Sequence, residues 1–300
     1  MPSLMPTSWL ARLAAKPVLE PFPGWQLGSE QSADWAARLR KKIWRLLRSP
    51  FEVEWLDGLR LTLYPGSEIC RSIFVTGRYE PNEFCVLSSI LKPGMTFIDA
   101  GANMGLYTLF AARRLTEKGC VIAIEPSMRE MACLRDNVER NALNSVALVP
   151  VALSDHAADV ELLVAPVRHA GHNTLGAFGY RTPLDHRERI PAVRLDDLAE
   201  AQKLRRVDVI KMDIEGAELA ALRGASETLG KHRPALLLEL SDRALNHQNA
   251  CSADVLSLLA EHGYHVYGFD DAFGLPSPLA AKSYFDSENI LAVARGGSPW

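Results

Sequence analysis

From Thr96 to Val293 short apolar runs alternate with amphipathic stretches, the sequence form of a parallel sheet covered by helices on both faces. The pattern predicts strands at Thr96–Ala100, Val121–Glu125, Ala147–Ala152, Val207–Lys211, Ala235–Leu240, Tyr264–Phe269 and Ile290–Val293. Helical spacing fills most gaps, at Leu106–Leu115, Met128–Asn141, Glu218–Leu229 and Ser252–His262. The exception is 155–195, where β-like pieces, glycine turns and a histidine pair mark an excursion from the sheet. Long excursions of this kind are often functional. The expected fold class is α/β and doubly wound, with residues 1–85 forming a helical and hairpin extension and 86–300 the main domain.

The first of these strands stops on a carboxylate. Residues 97–105, Phe-Ile-Asp-Ala-Gly-Ala-Asn-Met-Gly, bring Asp99 to the carboxyl edge of the sheet, where open α/β sheets bind ligands, and then turn through Gly101 and Gly105 into a helix. A dinucleotide site needs G-x-G-x-x-G, so that a pyrophosphate can sit on the helix N-terminus. Here the spacing is G-x-x-x-G behind an acidic residue. Asp99 would repel a pyrophosphate but suits a cofactor carrying a cationic sulfonium and an α-ammonium group, as S-adenosylmethionine does.

Three later strands repeat the pattern. Ile122-Ala-Ile-Glu125-Pro126 places Glu125 about one βα unit downstream, where a carboxylate accepts hydrogen bonds from ribose hydroxyls. Such charge-assisted bonds contribute about 1.5–3 kcal/mol. Val209-Ile-Lys-Met-Asp213-Ile-Glu215-Gly216 delivers Asp213 to the same edge without a helix-capping role, and Leu236-Leu-Leu-Glu239 adds Glu239. Glu215 and Glu218 also fit the first turn of the next helix, where negative charge is favoured. The four carboxylates predict an acidic rim.

Bulk properties remove several classes. A net charge of −3 gives no pull toward nucleic acid, and five dispersed cysteines without a C-x-x-C pair indicate neither a disulfide framework nor a zinc cluster. No run approaches the roughly 18 apolar residues of a membrane helix. The expectation is a soluble cytoplasmic protein without a cleaved signal. The N-terminal region is different in composition: Trp9, Trp25, Trp35, Trp44 and Trp55 all precede residue 85. Residues 34–48 set Trp35, Leu39, Ile43 and Leu46 on one helical face and Arg38, Lys41, Lys42, Arg45 and Arg48 on the other. The apolar face is expected to dock on the main domain, with contact of the basic helix to an anionic membrane, a partner or a phosphorylated substrate as the alternative. Phe51–Tyr64 alternates around Asp57-Gly58, a hairpin signal, and Pro81–Leu91 reads as a helix.

The succession FIDAGANMG, IAIEP, VALSD, VRLDDL, VDVIKMDIEGAELAALRGA and LLLEL resembles the FkbM family of methyltransferases over about Tyr79 to Val293. The resemblance implies a Rossmann-like class I fold with a seven-stranded sheet, its last strand antiparallel, and S-adenosylmethionine-dependent methylation of a hydroxyl on a sugar, glycan or polyketide-type molecule. It implies that Asp99, Gly101, Ala102, Asn103 and Gly105 hold the methionine part, Glu125 and Pro126 the ribose side, and Ala152, Leu153 and Ser154 the adenine edge. Tyr79, Glu80, Asn173, Thr174 and Glu215 become acceptor contacts.

The sulfonium is already activated, so the protein must align acceptor and donor and exclude water. Asp213 is the first candidate for the acceptor's proton, adjoining the cofactor as well, with Glu239 beside it and His172, three residues from His169, as an alternative base. A carboxylate of ordinary pKa is a poor base for an alcohol. Either desolvation raises its pKa, or a divalent ion held by Asp213 with Glu239 or Asp242 acidifies the hydroxyl; the sequence does not choose between them. A dinucleotide oxidoreductase lacks its middle glycine here, and a nucleic-acid N-methyltransferase lacks its Asp/Asn-Pro-Pro-Tyr turn. A cofactor-binding interaction module without turnover is the non-enzymatic alternative.

Overall fold

The structure is a computed structural model describing residues 9–19, 35–269 and 274–296. Trp25 lies outside them. An N-terminal hairpin pairs β1 (Phe51–Trp55) with β2 (Leu59–Leu63), Trp55 opposite Leu59. Its turn residues Asp57 and Gly58 both have positive φ, 55° and 76°, which an Asp-Gly pair accommodates.

The main strands follow as β3 (Thr96–Ala100), β4 (Cys120–Ile124) and β5 (Val146–Val149). A smaller sheet is built from β6 (Ala152–Leu153), β7 (Ala158–Val164) and β8 (His186–Val193). The chain then returns through β9 (Val209–Met212), β10 (Ala235–Leu240), β11 (Tyr264–Phe269), β12 (Pro276–Pro278) and β13 (Glu288–Ala294). The large sheet runs β12-β11-β13-β10-β9-β3-β4-β5. Strands β5, β4, β3, β9 and β10 are parallel, and β13 is antiparallel to both β10 and β11. Strand order reverses between β3 and β9, which makes the crevice at their carboxyl ends the ligand position of a doubly wound fold.

The sheet has eight strands rather than seven. The extra one, β12, has two prolines in three residues and pairs only with β11, an edge position that tolerates missing N–H donors. Two other expectations need correction. The strand expected at Ala147–Ala152 breaks at Pro150, and its second part joins β8 of the small sheet, so 155–195 is an antiparallel β7–β8 platform with a 3-10 segment at Val167–His172. The helix expected at Glu218–Leu229 divides into Glu218–Arg223 and Ser226–His232. At the break, a Cβ on Gly224 would lie 2.1 Å from the Ser154 carbonyl oxygen.

The extension shares its core with the sheet. Trp55 packs edge-on against Phe84 at 5.2 Å, and Phe84 against Phe110 at 5.0 Å, within one apolar cluster that also holds Phe51, Phe74 and Phe97. A boundary at residue 85 therefore falls inside the helix Pro81–Ile90 and separates no independent core. Asn137 fastens the hairpin to the sheet, accepting from the Thr62 N–H at 3.1 Å and donating to the Met104 carbonyl at 2.9 Å.

The helix Trp35–Leu46 docks by a face other than the one expected. It buries Ala37 and Trp44, the latter against Phe51 and Phe74, and leaves Trp35, Leu39 and Leu46 exposed. Aromatic packing of a single tryptophan outweighed the wider apolar stripe. Among the described residues no helix is long and apolar enough to cross a membrane.

Candidate active site

Because β3 lies between β4 and β9, the turn after β3 sits between the residues that end its two neighbours, Glu125 and Asp213. Hydrogen bonds clamp it from both sides: the N–H groups of Gly101 and Ala102 donate to the Ile124 carbonyl at 3.0 Å, and the Asp213 N–H donates to Ala100 at 3.1 Å. Gly101 has φ 77°, and a Cβ there would meet the Asp213 carbonyl oxygen at 1.9 Å. An open-mouthed cleft lies beside this turn, lined by Gly101, Ala102, Asn103, Glu125 and Asp213.

At one end Glu125 accepts from the Asn103 N–H at 2.8 Å and from the Ser127 N–H at 2.9 Å. Burial pushes its carboxyl up to about 8, against the lowering effect of these two bonds. Pro126, Val151, Ala152, Leu153 and Leu162 give this end apolar walls. The excursion closes over it: Asn103 donates its side-chain amide to the Ala170 carbonyl at 3.0 Å, and Ala170, Gly171 and Asn173 line the cleft.

At the other end stand Tyr79, Tyr107, Lys211, Asp213 and Glu215. The buried Lys211 ammonium donates to the Gly101 carbonyl and to Asp213, both at 3.3 Å, and lies 5.0 Å above the Tyr107 ring. Burial alone would lower its pKa, but the charges of Asp213, Asp99 and Glu80 together outweigh burial and hold it above its ordinary value. Tyr107 donates its hydroxyl to Glu80, whose carboxyl is pushed up to about 8 by burial, then by the charges of Glu83 and Asp213.

Asp213, Glu215 and Glu239 gather here, each offering a carboxylate oxygen within 4.8 Å of the others. Burial first, then the charge of Asp213, pushes Glu215 and Glu239 well above the ordinary carboxylate range, and Glu239 also shares a hydrogen bond with Asp213. The Asp-Ile-Glu-Gly turn is wound around Glu218, which accepts from the N–H groups of Ile214 and Gly216 at 3.0 Å. Glu215 and Gly216 both take positive φ, 50° and 103°.

Several of the residues singled out in the sequence have other work. Asp99 does not line the cleft. Strand alternation turns it toward the helix Leu106–Leu115, where Thr108 donates to it, leaving its Oδ1 buried without a hydrogen bond. Gly105 also lies outside the lining, and a Cβ on it would strike Leu134 at 2.5 Å. Ser154 points away, its N–H on Val193 and its hydroxyl on Asp155. Asn173 spends both ends of its amide on the Ala165 N–H and Glu130, and Thr174 donates to the Glu215 carbonyl at 2.8 Å. These two are struts of the cleft wall. His172 lies outside the lining, its Nδ1 3.0 Å from the Thr182 hydroxyl, and burial with the His169 charge lowers its pKa. Glu80 stands behind Tyr107, and Asp242 braces Ser252 and the Phe285 N–H rather than joining the carboxylate cluster.

Sequence reasoning passed over Lys211 and Tyr107. The signal for Lys211 was a lone cation inside the apolar strand Val-Ile-Lys-Met, two residues before Asp213 and so on the same face.

Residues 99–266 match the sequence model of the Methyltransferase FkbM domain, more than half of the chain. The chain is 27% identical over 176 residues to Methyltransferase 1 of Beauveria bassiana, covering 53% of this chain and 67% of that protein. It is 28% identical over 188 residues to the 2-O-methyltransferase NoeI of Sinorhizobium fredii, covering 58% and 74%. Against the 31-O-demethyl-FK506 methyltransferase FkbM of Streptomyces tacrolimicus it is 26% identical over 207 residues, covering 60% and 76%. The crystal structure of Methyltransferase FkbM from Methylobacillus flagellatus superposes with a TM-score of 0.43 at 17% identity; the match takes in 75% of this chain and only 54% of that one. With the glycine turn, the strand-end carboxylates and the domain match in agreement, the chain belongs to the FkbM family of methyltransferases.

Proposed function

We propose that the chain is an S-adenosylmethionine-dependent O-methyltransferase acting on a hydroxyl of a sugar, glycan or polyketide-type small molecule. The observation that carries this reading is the placement of Glu125 and Asp213 on either side of one glycine turn in a single cleft. Each Glu125 oxygen accepts one N–H and keeps a lone pair for a ribose hydroxyl. The apolar wall of Val151, Leu153 and Leu162 suits a flat base, and the acidic end suits a cationic donor. The relatives named for 2-O- and 31-O-methylation support an oxygen acceptor.

S-Adenosylmethionine, when bound, supplies a methyl group already activated by its positive sulfur. The chain's own residues then align, dry and deprotonate. Tyr79 and Tyr107 wall the acceptor end, and Lys211 holds Asp213 in place. Asp213 accepts the hydrogen bond of the acceptor hydroxyl, and as the new C–O bond forms the proton passes to Asp213, beside Glu215 and Glu239, whose own carboxyls are held well above the ordinary range by burial first and then by the Asp213 charge. A second reading rests on the spacing of the same cluster: three oxygen ligands within 4.8 Å fit a divalent cation that would acidify the hydroxyl.

Calorimetry with S-adenosylhomocysteine and with NADH, followed by methyl-transfer assays on hydroxyl acceptors, tests the proposal. Binding of NADH and none of S-adenosylhomocysteine overturns it; cofactor binding with no transfer across a broad glycan and polyketide panel leaves a binding module.

A further inference from the structure

The helix Trp35–Leu46 carries Arg38, Arg40, Lys41, Lys42 and Arg45 and no acidic residue, in a chain whose net charge is −3. Its buried side is settled by Ala37 and Trp44. On the opposite side Trp35, Leu39 and Leu46, which are 70%, 43% and 75% exposed, fall within about 40° of one another around the helix axis and form an apolar ridge. Arg38, Lys42 and Arg45, all exposed, follow along one flank of that ridge. Across a groove that Trp35, Leu39 and Ile43 help to line, the N-terminal segment supplies Arg12 and Lys16. Cations thus border the ridge on both sides. Lys41, beneath the flank, is held below its ordinary pKa by burial first and then by the charges of Arg71 and Arg45, as a concentration of like charge requires.

We propose that this face docks on an anionic lipid bilayer, with Trp35, Leu39 and Leu46 at the acyl boundary and the flanking cations among the headgroup phosphates. An ordinary protein partner would have to desolvate the cations, and a nucleic acid would leave Leu39 and Leu46 in water. A bilayer surface offers hydrocarbon and phosphate side by side in one plane, which is the order in which this face presents its groups. The attachment is peripheral and independent of the chemistry of the cleft.

The test is co-sedimentation of the full chain with vesicles of phosphatidylcholine alone and of phosphatidylcholine mixed with phosphatidylglycerol. Binding to the anionic vesicles only is expected, weakening as salt is raised. The variant R38Q/K42Q/R45Q should lose binding by a factor on the order of a hundred, and L39Q/L46Q should release the protein while melting as the unmutated chain does, since both positions are exposed. Absence of sedimentation with anionic vesicles, equal binding to neutral ones, or full binding by either variant overturns the proposal. Self-association in the ultracentrifuge that L39Q/L46Q abolishes, without vesicle binding, assigns the face to a second copy and overturns it too.

Discussion

The backbones of Gly101 and Asp213 are in contact so close that a Cβ on the glycine would stand 1.9 Å from the aspartate's carbonyl oxygen. The turn after β3 and the loop after β9 are therefore packed backbone against backbone. Gly101→Ala must either separate β3 from β9 at their carboxyl ends or distort a residue already at φ 77°, a strain of about 1–3 kcal/mol. We expect a lower melting temperature together with a loss of S-adenosylhomocysteine affinity of at least about ten-fold. A variant that melts lower but binds normally would show that the two loops are not coupled.

Lys211 is the cation that ties these two segments together. Replacing it by Met leaves Asp213, Asp99 and Glu80 facing one another without a counter-charge, the situation in which breaking a buried pair costs about 3–5 kcal/mol. Turnover of Lys211→Met should fall by a factor on the order of a hundred or more, while Lys211→Arg recovers part of it. Steady-state kinetics on the two variants separate a charge effect from loss of packing: equal activity in both would leave Lys211 as filler between Tyr107 and Gly101.

Most of the frame was legible in the sequence because period and punctuation agree there. The apolar runs at Thr96–Ala100 and Ala235–Leu240 are strands with those bounds, and the Asp57-Gly58 hairpin pairs as its alternation requires. What escaped depends on partners distant in sequence. Nothing local says that Ser154 will press on Gly224 and divide a helix, or that Trp44 will find Phe51 and Phe74 and turn the Trp35–Leu39–Leu46 stripe outward. In the cleft, strand-end carboxylates were visible, but their direction was not. Asp99 lies one residue before the end of β3 and alternation aims it into the helix layer, whereas Glu125 and Asp213 follow the last residue of their strands and reach the crevice.

Glu125 gives the cleft a pH signature. Its folded-state carboxyl titrates at about 8, above the ordinary 4.5, so between those values the folded chain keeps a proton that the unfolded chain has released. The associated stability is present below the lower value and is lost as pH rises through the upper one. Glu125→Gln removes this cost, so its melting temperature should exceed that of the unmutated chain at pH 8 and converge with it near pH 4.5. Its S-adenosylhomocysteine affinity should fall by roughly ten- to a hundred-fold through loss of the ribose bonds. Scanning calorimetry across that range checks the first, titration calorimetry the second; a constant difference in melting temperature would mean that Glu125 does not change protonation on unfolding.

The proposed role of the carboxylate cluster has two forms, told apart by a chelator. Held as a proton store, Asp213, Glu215 and Glu239 work without any ion, and turnover is unchanged by EDTA. Held as cation ligands, they lose activity to the chelator and regain it with added magnesium or manganese. Glu239→Gln distinguishes the two again. It keeps a hydrogen-bond donor toward Asp213, so the proton store is only weakened, by about ten-fold or less. It also removes a charged ligand, so a cation site would need a higher magnesium concentration for half-maximal rate. Chelator-insensitive turnover with a mild Glu239→Gln defect places the proton on the carboxylates themselves, and a magnesium-dependent rate assigns activation to a cation that acidifies the hydroxyl.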